Sequence, residues 1–356
     1  MRSNGTPLYN FATVVDDALL KITHVIRAEE HLSNTPTQVL LFDALGEDTP
    51  TFAHIPFVMA PGTKKKISKR DVGKYRKLAD FKVLFDLGDR VIPNTGLPDD
   101  YSVEAEDRGK PVTRANDELI NPVMVDFYKQ TGFLPAGLLN SLARTGWSFD
   151  ETTEFVSLDF LTENFSLDRV VKGSAAFDPE KLMSYQAHWM NELAPENRAA
   201  ECLAFLQKAG FISEDATDAD HSEVQAVVEA LGDRIKVASD ILTFGYFFQD
   251  EIEYSEKDFR KRVQKDGVPE LLADFRNVLA DLDEWTVERL ESELKSFVEE
   301  RSVGAGMLIH ALRISSTGSP TGPGVYDCLV LVGQNKLLER IDTAIARVEQ
   351  ARADAS

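Results

Sequence analysis

Apolar positions follow two different patterns along the chain. Near the N-terminus, short β-branched and aromatic runs stand between polar segments, whereas from Leu134 onward the apolar residues recur every three or four positions. Short runs of the first kind are typical of strands, and the second spacing is typical of helices with one apolar face. The sequence therefore predicts an α/β part followed by a helical part, with no parallel sheet after residue 150.

Residues 8–27 are predicted to form a strand, a short helix and a second strand. Tyr9–Val15 is rich in β-branched and aromatic residues, and Thr23–Ile26 is an apolar run that ends at Arg27. Residues of these types are enriched in strands. Arg27 is thereby placed at the carboxyl end of a predicted strand.

A helix and a further strand are predicted next. Thr35 is the expected N-cap, Pro36 the first helical residue and Gly46 the residue beyond the end. The run Ala53–Met59 follows as a strand. Strand, helix and strand in this order are typical of the second half of a nucleotide-binding α/β domain, where ligands lie at the carboxyl ends of the strands. This places Arg27 where a ligand would be.

Two helices are predicted after Leu134, one ending near Gly146 and one beginning at Ser157. The leucines and other apolar residues expected to face the core from these two helices are Leu138, Leu139, Leu142, Ala143, Leu158, Leu161 and Phe165. Between the α/β part and these helices, Leu97–Asn121 has few apolar residues and no periodicity, so we expect an exposed or partly ordered insertion.

Helical periodicity continues to the C-terminus. Asp178 followed by Pro179 predicts an N-cap and first helical residue. The segments Leu271–Leu282, Leu290–Val298 and Leu337–Val348 each place apolar residues on one helical face.

A basic cluster interrupts an acidic chain. Residues 64–77 contain eight lysines or arginines with Asp71 as the one acid, although the formal net charge of the protein is −20. A cation cluster repels itself and is stabilised by a bound polyanion. Gly62 followed by Lys66-Ile67-Ser68-Lys69-Arg70 suggests a mobile phosphate-binding loop. The alternative is a solvated basic loop, which is the commoner meaning of a charge run.

Composition narrows the class of protein. A chain of 356 residues can hold two or three domains. Cys202 and Cys328 are far apart, have no metal-ligand spacing and suit a reducing compartment.

His31 has no second ligand spaced to join it, so no metal site is predicted. Without an apolar leader or a long apolar run, a cytoplasmic location is expected.

These motifs carry a family resemblance. Lys66–Arg70 resembles the second signature of class I aminoacyl-tRNA synthetases. The segments Pro7–Asp17 and Ile22–Pro36 resemble glutamyl-tRNA synthetase, as do Gly132–Ser148 and Phe177–Leu182. The helical C-terminal half is unlike the β-barrels of the sister glutaminyl family. The resemblance covers most of the chain.

The resemblance implies a fold and a domain order. It predicts an α/β partial Rossmann-type catalytic domain, followed by an all-α stem-contact and anticodon-binding region. The expected bounds are 1–75 for the second half of the catalytic domain, 76–185 for the stem-contact domain with its insertion near 97–121, and 186–356 for the anticodon-binding domain.

The resemblance also implies an activity. Members of the family join glutamate to ATP as glutamyl adenylate and then esterify the terminal adenosine of tRNA-Glu. The implied partners are tRNA-Glu, glutamate and ATP, with Mg²⁺ accompanying ATP and no dedicated carboxylate cage for it. No membrane partner is implied, and a monomer is expected.

Roles for individual residues follow from the same resemblance. Lys66 and Lys69 would stabilise the triphosphate as pyrophosphate leaves. Tyr9 and Arg27 would bind glutamate, Arg27 through its planar guanidinium. The ATP site would comprise Glu30, His31, Val58, Met59, Lys66, Ile67 and Lys69. Taken alone, Arg27 could instead form a surface salt bridge, and Tyr9 could belong to the core.

The segments Leu308–Gly318 and Pro323–Asp327 resemble the family's anticodon-binding end. Within them Arg313 is the predicted contact for an anticodon base, because a guanidinium can stack on a base and hydrogen-bond its edge. Its alternative is a charge near a helix C-terminus. Some family members place an arginine for the third anticodon base at a position that falls near Gly245. Selectivity between Glu and Gln tRNAs is therefore not predicted.

Two hypotheses remain open at this stage. The family's first signature motif, of the HIGH type, is absent from the 356 residues, so one hypothesis is a synthetase that lacks its N-terminal half. Such a chain is expected to show no glutamate-dependent ATP/pyrophosphate exchange alone. The alternative is a non-catalytic tRNA-binding or regulatory protein derived from the synthetase. The presence of Tyr9, Arg27 and the segment Lys66–Arg70 favours the first hypothesis.

Overall fold

The computed structural model describes residues 2–92 and 120–354. It divides into two compact units, residues 1–186 and 187–356. The insertion predicted near 97–121 lies almost entirely outside the described residues. A boundary at residue 75 between catalytic and stem-contact domains stays a prediction.

The first unit begins with α1 (Tyr9–Leu19), β1 (His24–Ala28), α2 (Thr35–Leu45) and β2 (Thr51–Ile55). The two strands pair in parallel, with Arg27 opposite His54. The predicted strands at Thr23–Ile26 and Ala53–Met59 are thus confirmed in position, although β2 ends at Ile55. The strand predicted over Tyr9–Val15 is wrong, because this segment is helical.

The helical state of Tyr9–Val15 has a packing reason. Val14 is fully buried on α1, which packs against α2. The Thr13 hydroxyl donates to the Tyr9 carbonyl at 2.9 Å, a local bond that a β-branched residue can make inside a helix. Strand propensity is weaker than tertiary packing of this kind.

Helix α2 starts one residue earlier than predicted. Asn34 occupies the N-cap position and Thr35 is the first helical residue. The Thr35 side chain is used elsewhere, because its hydroxyl accepts a hydrogen bond from Arg27 at 2.8 Å. Gly46 ends the helix in the left-handed region at φ 73°, as predicted.

Six further helices complete the described part of the first unit or begin within it: α3 (Val72–Tyr75), α4 (Lys82–Val91), α5 (Val125–Gln130), α6 (Pro135–Arg144), α7 (Leu158–Asn164) and α8 (Pro179–Glu192). An aromatic cluster lies at the centre of this unit. Phe81 is fully buried, with its ring centroid 5.0 Å from that of Tyr75 and 5.8 Å from that of Phe177. Asp178 caps α8 through a hydrogen bond from the Lys181 amide at 3.0 Å, as predicted.

The inward face predicted for α6 is wrong. Leu139 and Leu142 are 39% and 54% exposed, whereas Asn140 is fully buried. The Asn140 amide donates to the Glu154 carbonyl at 3.1 Å and accepts from the Val156 amide at 3.2 Å. These bonds select a small and polar face of α6 for the interior. Leu158 and Phe165, also expected inside, are 61% and 51% exposed.

Gly137 allows this close packing of α6. An added Cβ would lie 2.4 Å from Gln186 Oε1 and 2.9 Å from Gln186 Cα, and Gln186 Oε1 accepts from the Leu134 amide. We predict that Gly137→Ala lowers the free energy of unfolding by about 1–3 kcal/mol, the usual cost of overpacking. Denaturant unfolding tests this, with Gly173→Ala as control because its Cβ would meet no atom within 4 Å. Equal stability of both variants would contradict the packing described here.

The second unit is helical throughout its described residues. Its α-helices are α9 (Pro195–Lys208), α10 (Asp218–Leu231), α11 (Glu256–Arg262), α12 (Val268–Ala280), α13 (Val287–Glu300), α14 (Ala305–Thr317), α15 (Val325–Val332) and α16 (Gln334–Asp354). A 3₁₀ segment over Ala238–Phe247 lies between α10 and α11. The periodic segments predicted in α12, α13 and α16 are confirmed, with Phe275, Leu294 and Ile341 at most 1% exposed.

The predicted fold class is confirmed as a mostly helical chain with a small parallel sheet near its N-terminus. Among the described residues, strands after Ile55 are replaced by isolated bridges such as Trp147 with Val170. A search of the same residues finds no helix that combines the length and apolar character needed to cross a bilayer.

Candidate active site

Arg27 is held in a fixed orientation at the end of β1. Its Nη2 donates to Thr35 Oγ1 at 2.8 Å and to Gln38 Oε1 at 2.7 Å, and its guanidinium carbon lies 5.2 Å from the centroid of the Phe52 ring. Gln38 is buried at 1% exposure. Arg27 forms no ion pair with any described residue, so the salt-bridge alternative finds no support. Because both hydrogens of Nη2 are donated within the protein, Nη1 is the terminal nitrogen left to donate to a carboxylate, from a positive, half-buried group of fixed orientation.

His54 supports this orientation from the neighbouring strand. Its Nε2 lies 3.0 Å from Thr35 Oγ1 and 3.5 Å from Arg27 Nε. Desolvation by burial lowers the pKa of His54, and the positive charge of Arg27 lowers it further. Both effects favour a neutral imidazole beside Arg27 at pH 7.

The lysine loop leaves the sheet as a hairpin. The Ala60 amide donates to the Lys65 carbonyl at 2.9 Å, and the Ile67 amide donates to the Val58 carbonyl at 2.9 Å. Gly62 lies at the tip with φ 67°, a conformation that favours glycine. The hairpin carries Lys64, Lys65 and Lys66 into solvent. We call residues 60–70 the lysine loop.

Lys66 connects the loop to the segment after β1. Its Nζ donates to Glu30 Oε1 at 2.7 Å, and the same oxygen lies 3.6 Å from His31 Nε2. The His31 and Tyr9 ring centroids are 6.2 Å apart. Tyr9 is 56% exposed, which excludes the core alternative. The structure thus brings the side chains of Tyr9, Glu30, His31 and Lys66 together. Glu30 follows Arg27 by three residues in the sequence.

The ion pair of Glu30 with Lys66 leads to a testable expectation for ATP binding. The hydrogen bond from Lys66 lowers the pKa of Glu30, so the pair is present at neutral pH and is lost as the pH falls through that lowered pKa. We predict that Glu30→Gln, which removes this competing charge, tightens ATP binding by about two- to fivefold, as expected for an exposed ion pair. Calorimetric titration with ATP tests this. Weaker binding would instead indicate that Glu30 contacts the nucleotide, as the sequence predicts.

Lys69 is arranged differently from Lys66. Its carbonyl accepts from Asn121 Nδ2 at 3.2 Å, which anchors the backbone of the loop's C-terminal end. Ser68 adds a second anchor, because its amide donates to the Tyr75 hydroxyl at 2.8 Å. The Lys69 side chain is exposed and forms no ion pair with a described residue. An anchored backbone with an exposed amine is an arrangement suited to phosphate.

Several backbone hydrogen-bonding groups of Val58 and Met59 already have partners within the protein. The Met59 amide donates to the Ala175 carbonyl at 2.8 Å, and the Met59 carbonyl accepts from the Phe177 amide at 2.9 Å. The Val58 carbonyl already accepts from Ile67. An adenine ring would therefore use other hydrogen-bonding groups, and the adenine contact of these two residues stays a prediction.

Comparison with known proteins places these motifs in a family. Residues 1–87 and 117–184 match the family described as tRNA synthetases class I (E and Q), catalytic domain. Residues 193–345 match the family described as anticodon binding domain. The chain belongs to the class I tRNA synthetases of the E and Q group. The predicted family is confirmed.

Individual glutamate–tRNA ligases are also similar to this chain in sequence. The chain is 33% identical over 344 residues to a glutamate–tRNA ligase of Moorella thermoacetica, covering 96% of this chain and 60% of that protein. It is 35% identical over 350 residues to the ligase of Desulforudis audaxviator, covering 97% and 60%. The chain spans about 60% of the length of the curated relatives it matches.

A solved structure of a glutamate tRNA ligase from Elizabethkingia meningosepticum, in complex with its amino acid, superposes with a TM-score of 0.72. Its sequence identity is 26%, and the match covers 97% of this chain and 61% of that one. The ligase from Elizabethkingia anophelis superposes with a TM-score of 0.68 at 25% identity.

Arg313 lies in the part of the chain, residues 193–345, that matches the anticodon binding domain family. It is half-buried on α14, where its Nη2 donates to the Pro323 carbonyl at 2.8 Å and its Nη1 lies 3.6 Å from Cys328 Sγ. These contacts hold the segment after α14. The anticodon contact of Arg313 stays a prediction.

We predict that Arg313→Ala weakens binding of tRNA-Glu by about tenfold at fixed salt, the lower end for an arginine that contacts a base. Fluorescence anisotropy measures the change. Arg276→Ala is the control, because it removes an equal charge from the same unit where Arg276 pairs with Asp342 at 2.9 Å. Equal tRNA affinity for wild type and Arg313→Ala would remove this assignment.

Gly245 is required by packing. A Cβ at this position would lie 2.5 Å from the Phe211 ring. The two residues line a polar cleft of about 690 Å³ together with Tyr246 and Thr317. A side chain at 245 would require Phe211 to move, and selectivity between Glu and Gln tRNAs stays without a prediction from this position.

Sequence reasoning missed the residues that hold the predicted site. Thr35, Gln38 and His54 orient Arg27, and Asn121 holds the Lys69 backbone. The spacing of Thr35 and Gln38 on one turn of α2 is the signal that could have revealed two of them. The contact of Asn121 joins residues 52 apart in sequence, and no local pattern reveals it.

Proposed function

We propose that this chain supplies the glutamate site, the lysine loop and the tRNA-binding helices of a glutamate–tRNA ligase. The observation that carries the proposal is the contact series from Tyr9 through His31 and Glu30 to Lys66. Glu30 follows Arg27 by three residues in sequence, and we call Arg27 with its partners Thr35, Gln38 and His54 the Arg27 pocket. The names of the relatives support the choice of glutamate.

In this proposal Arg27 binds a carboxylate of glutamate, and Tyr9 offers its hydroxyl from α1. Thr35 and Gln38 fix the guanidinium before substrate arrives, so little reorganisation is needed on binding. The carboxylate to be activated attacks the α-phosphorus of ATP. A P–O bond to glutamate forms as the bond to pyrophosphate breaks.

Lys66 and Lys69 would then stabilise the charge that accumulates on the departing pyrophosphate. Lys66 must leave Glu30 to do so, whereas Lys69 is already exposed. Ile67 and Ser68 hold the two lysines on one short segment. The isolated bridge between Met59 and Lys66 fixes the register of the two arms of this hairpin.

ATP is the nucleotide that the family implies, and Mg²⁺ is proposed only as a companion of its phosphates. Within residues 2–92 and 120–354, no three His, Cys, Asp or Glu side chains come together to hold a metal. The proposal places tRNA-Glu on the helical second unit, with a monomer acting in the cytoplasm.

Binding of stable adenylate analogues tests the proposal. The sulfamoyl analogues of glutamyl and glutaminyl adenylate keep the amino acid and adenosine but cannot transfer the acyl group. We expect calorimetry to show that the chain prefers the glutamyl analogue at least about tenfold, because Arg27 provides a positive charge for a carboxylate. Binding of tRNA-Glu with no binding of either analogue would favour a non-catalytic tRNA-binding protein instead.

A further inference from the structure

A polar cleft lies in the first unit, lined by side chains other than those of the candidate active site. It has a volume of about 220 Å³ and lies between the C-terminal end of α6, the start of α8 and the segment before it. Its lining includes Ser141, Arg144, Ala175, Asp178, Lys181 and Tyr185.

Two side chains of this cleft carry buried donors without partners. Arg144 is half-buried, yet its Nε and Nη1 are shielded from solvent and have no hydrogen-bond partner among residues 2–92 and 120–354. Tyr185 is 2% exposed, and its hydroxyl has no partner in this described part of the chain either. Buried polar groups are normally hydrogen-bonded, because an unpaired one loses its hydration without compensation. Two such groups lining one cleft point to a ligand that accepts hydrogen bonds.

The side chains define the chemistry of that acceptor. A guanidinium has five N–H donors and no acceptor, and a phenol can donate one further hydrogen bond. Lys181 adds a second positive charge to the lining, partly balanced by Glu154 Oε1 at 4.0 Å. Asp178 is the acid in the lining, and its Oδ1 already accepts from the Lys181 amide at 3.0 Å. The donors that remain fit an anion with several oxygens.

We propose that this cleft binds a phosphate group, with Arg144 and Tyr185 as its donors. The planar fork of arginine matches phosphate oxygens in geometry. The phosphate could belong to an RNA backbone or be free in solution, and the chemistry of recognition is the same. The RNA source rests on the proposed function, whereas binding of free phosphate does not.

Thermal unfolding of the 356-residue chain tests phosphate binding. Sodium phosphate is expected to raise Tm by a few degrees above sodium chloride of equal ionic strength, because a ligand that binds only the folded state stabilises it. Arg144→Met and Tyr185→Phe should lose this increment. Arg169→Met should keep it, because that arginine stacks on Phe149 at 4.5 Å and does not line the cleft.

Arg144→Met also distinguishes a binding role from a structural one. If the guanidinium has no partner within the protein, the variant in chloride should unfold at a temperature no lower than the wild type does. A large fall in Tm in chloride would reveal a structural partner and overturn the proposal. An equal phosphate increment in wild type, Arg144→Met and Tyr185→Phe would overturn it as well.

Titration with tRNA distinguishes the two sources of phosphate. If an RNA phosphodiester occupies the cleft, Arg144→Met should weaken tRNA binding and reduce the slope of log affinity against log salt by about 0.7–0.9, the value for one phosphate contact. If tRNA affinity is unchanged while the Tm increment is lost, the cleft binds free phosphate. Absence of both effects would mean that water satisfies these donors, and the proposal would fail.

Discussion

Lys66→Met is expected to weaken ATP binding by about 10- to 100-fold. One charge-assisted hydrogen bond contributes about 1.5–3 kcal/mol, and 1.4 kcal/mol corresponds to a factor of ten in affinity. The methionine keeps an unbranched side chain of similar length, so the hairpin that pairs Met59 with residue 66 should persist. Calorimetric titration with ATP measures the change.

Lys82→Met provides the matched control for this effect. Lys82 lies on α4, where it pairs with Asp86 at 2.5 Å, and its removal changes the net charge equally. Its ATP affinity should stay within about twofold of wild type, since exposed ion pairs contribute little. If Lys66→Met and Lys82→Met lose ATP affinity equally, the net charge of the chain, rather than the position of Lys66, attracts the nucleotide.

Arg27→Gln is expected to weaken binding of the glutamyl adenylate analogue by more than about 100-fold. The change removes the positive charge and the Nη1 donors, which are the ones left for a substrate carboxylate once Nη2 donates to Thr35 and Gln38. Thr35 and Gln38 would also lose the group that they accept from. Arg27→Lys should recover only part of the affinity, because an ammonium keeps the charge but not the fork.

Arg76→Gln is the control for Arg27→Gln. Its guanidinium lies 5.0 Å from the Phe85 ring and pairs with Asp89 at 2.7 Å, so it is also an arginine above an aromatic ring in the first unit. Its analogue affinity should equal that of wild type. The melting temperatures of both variants must be compared, because loss of Arg27 leaves the buried Gln38 with one fewer donor.

Some features of the fold could be predicted because local patterns determine them. The long helices α12, α13 and α16 repeat apolar residues over several turns, and this period is a strong signal. Gly46 and Asp178 mark helix ends through backbone conformation and capping, which are also local. These predictions needed no knowledge of the rest of the chain.

Other features depend on contacts between distant residues. Tyr9–Val15 has strand-forming residues but becomes helical because Val14 packs into the unit. On α6, the buried hydrogen bonds of Asn140 decide the inward face, and Leu142 instead lines an apolar cavity of about 170 Å³ with Trp147. No periodicity in α6 contains this information.

The residues expected to contact substrate could be predicted from the sequence. The residues that hold them in place could not. The motif Lys66–Arg70 and the position of Arg27 follow from sequence. The ion pair of Lys66 with Glu30 joins residues 36 apart, and the bond of Arg27 to Gln38 depends on the approach of α2 to the sheet. Tertiary structure alone fixes such distances.

Hydrogen exchange is the most direct test of the claim that the Arg27 pocket and the lysine loop form one binding site. The chain is compared with and without the glutamyl adenylate analogue, and protection is measured for peptides covering residues 24–31 and 60–70. Our account predicts that both segments become protected together in wild type and that Arg27→Gln diminishes protection of both at the same analogue concentration. Protection of one segment without the other would contradict a shared site.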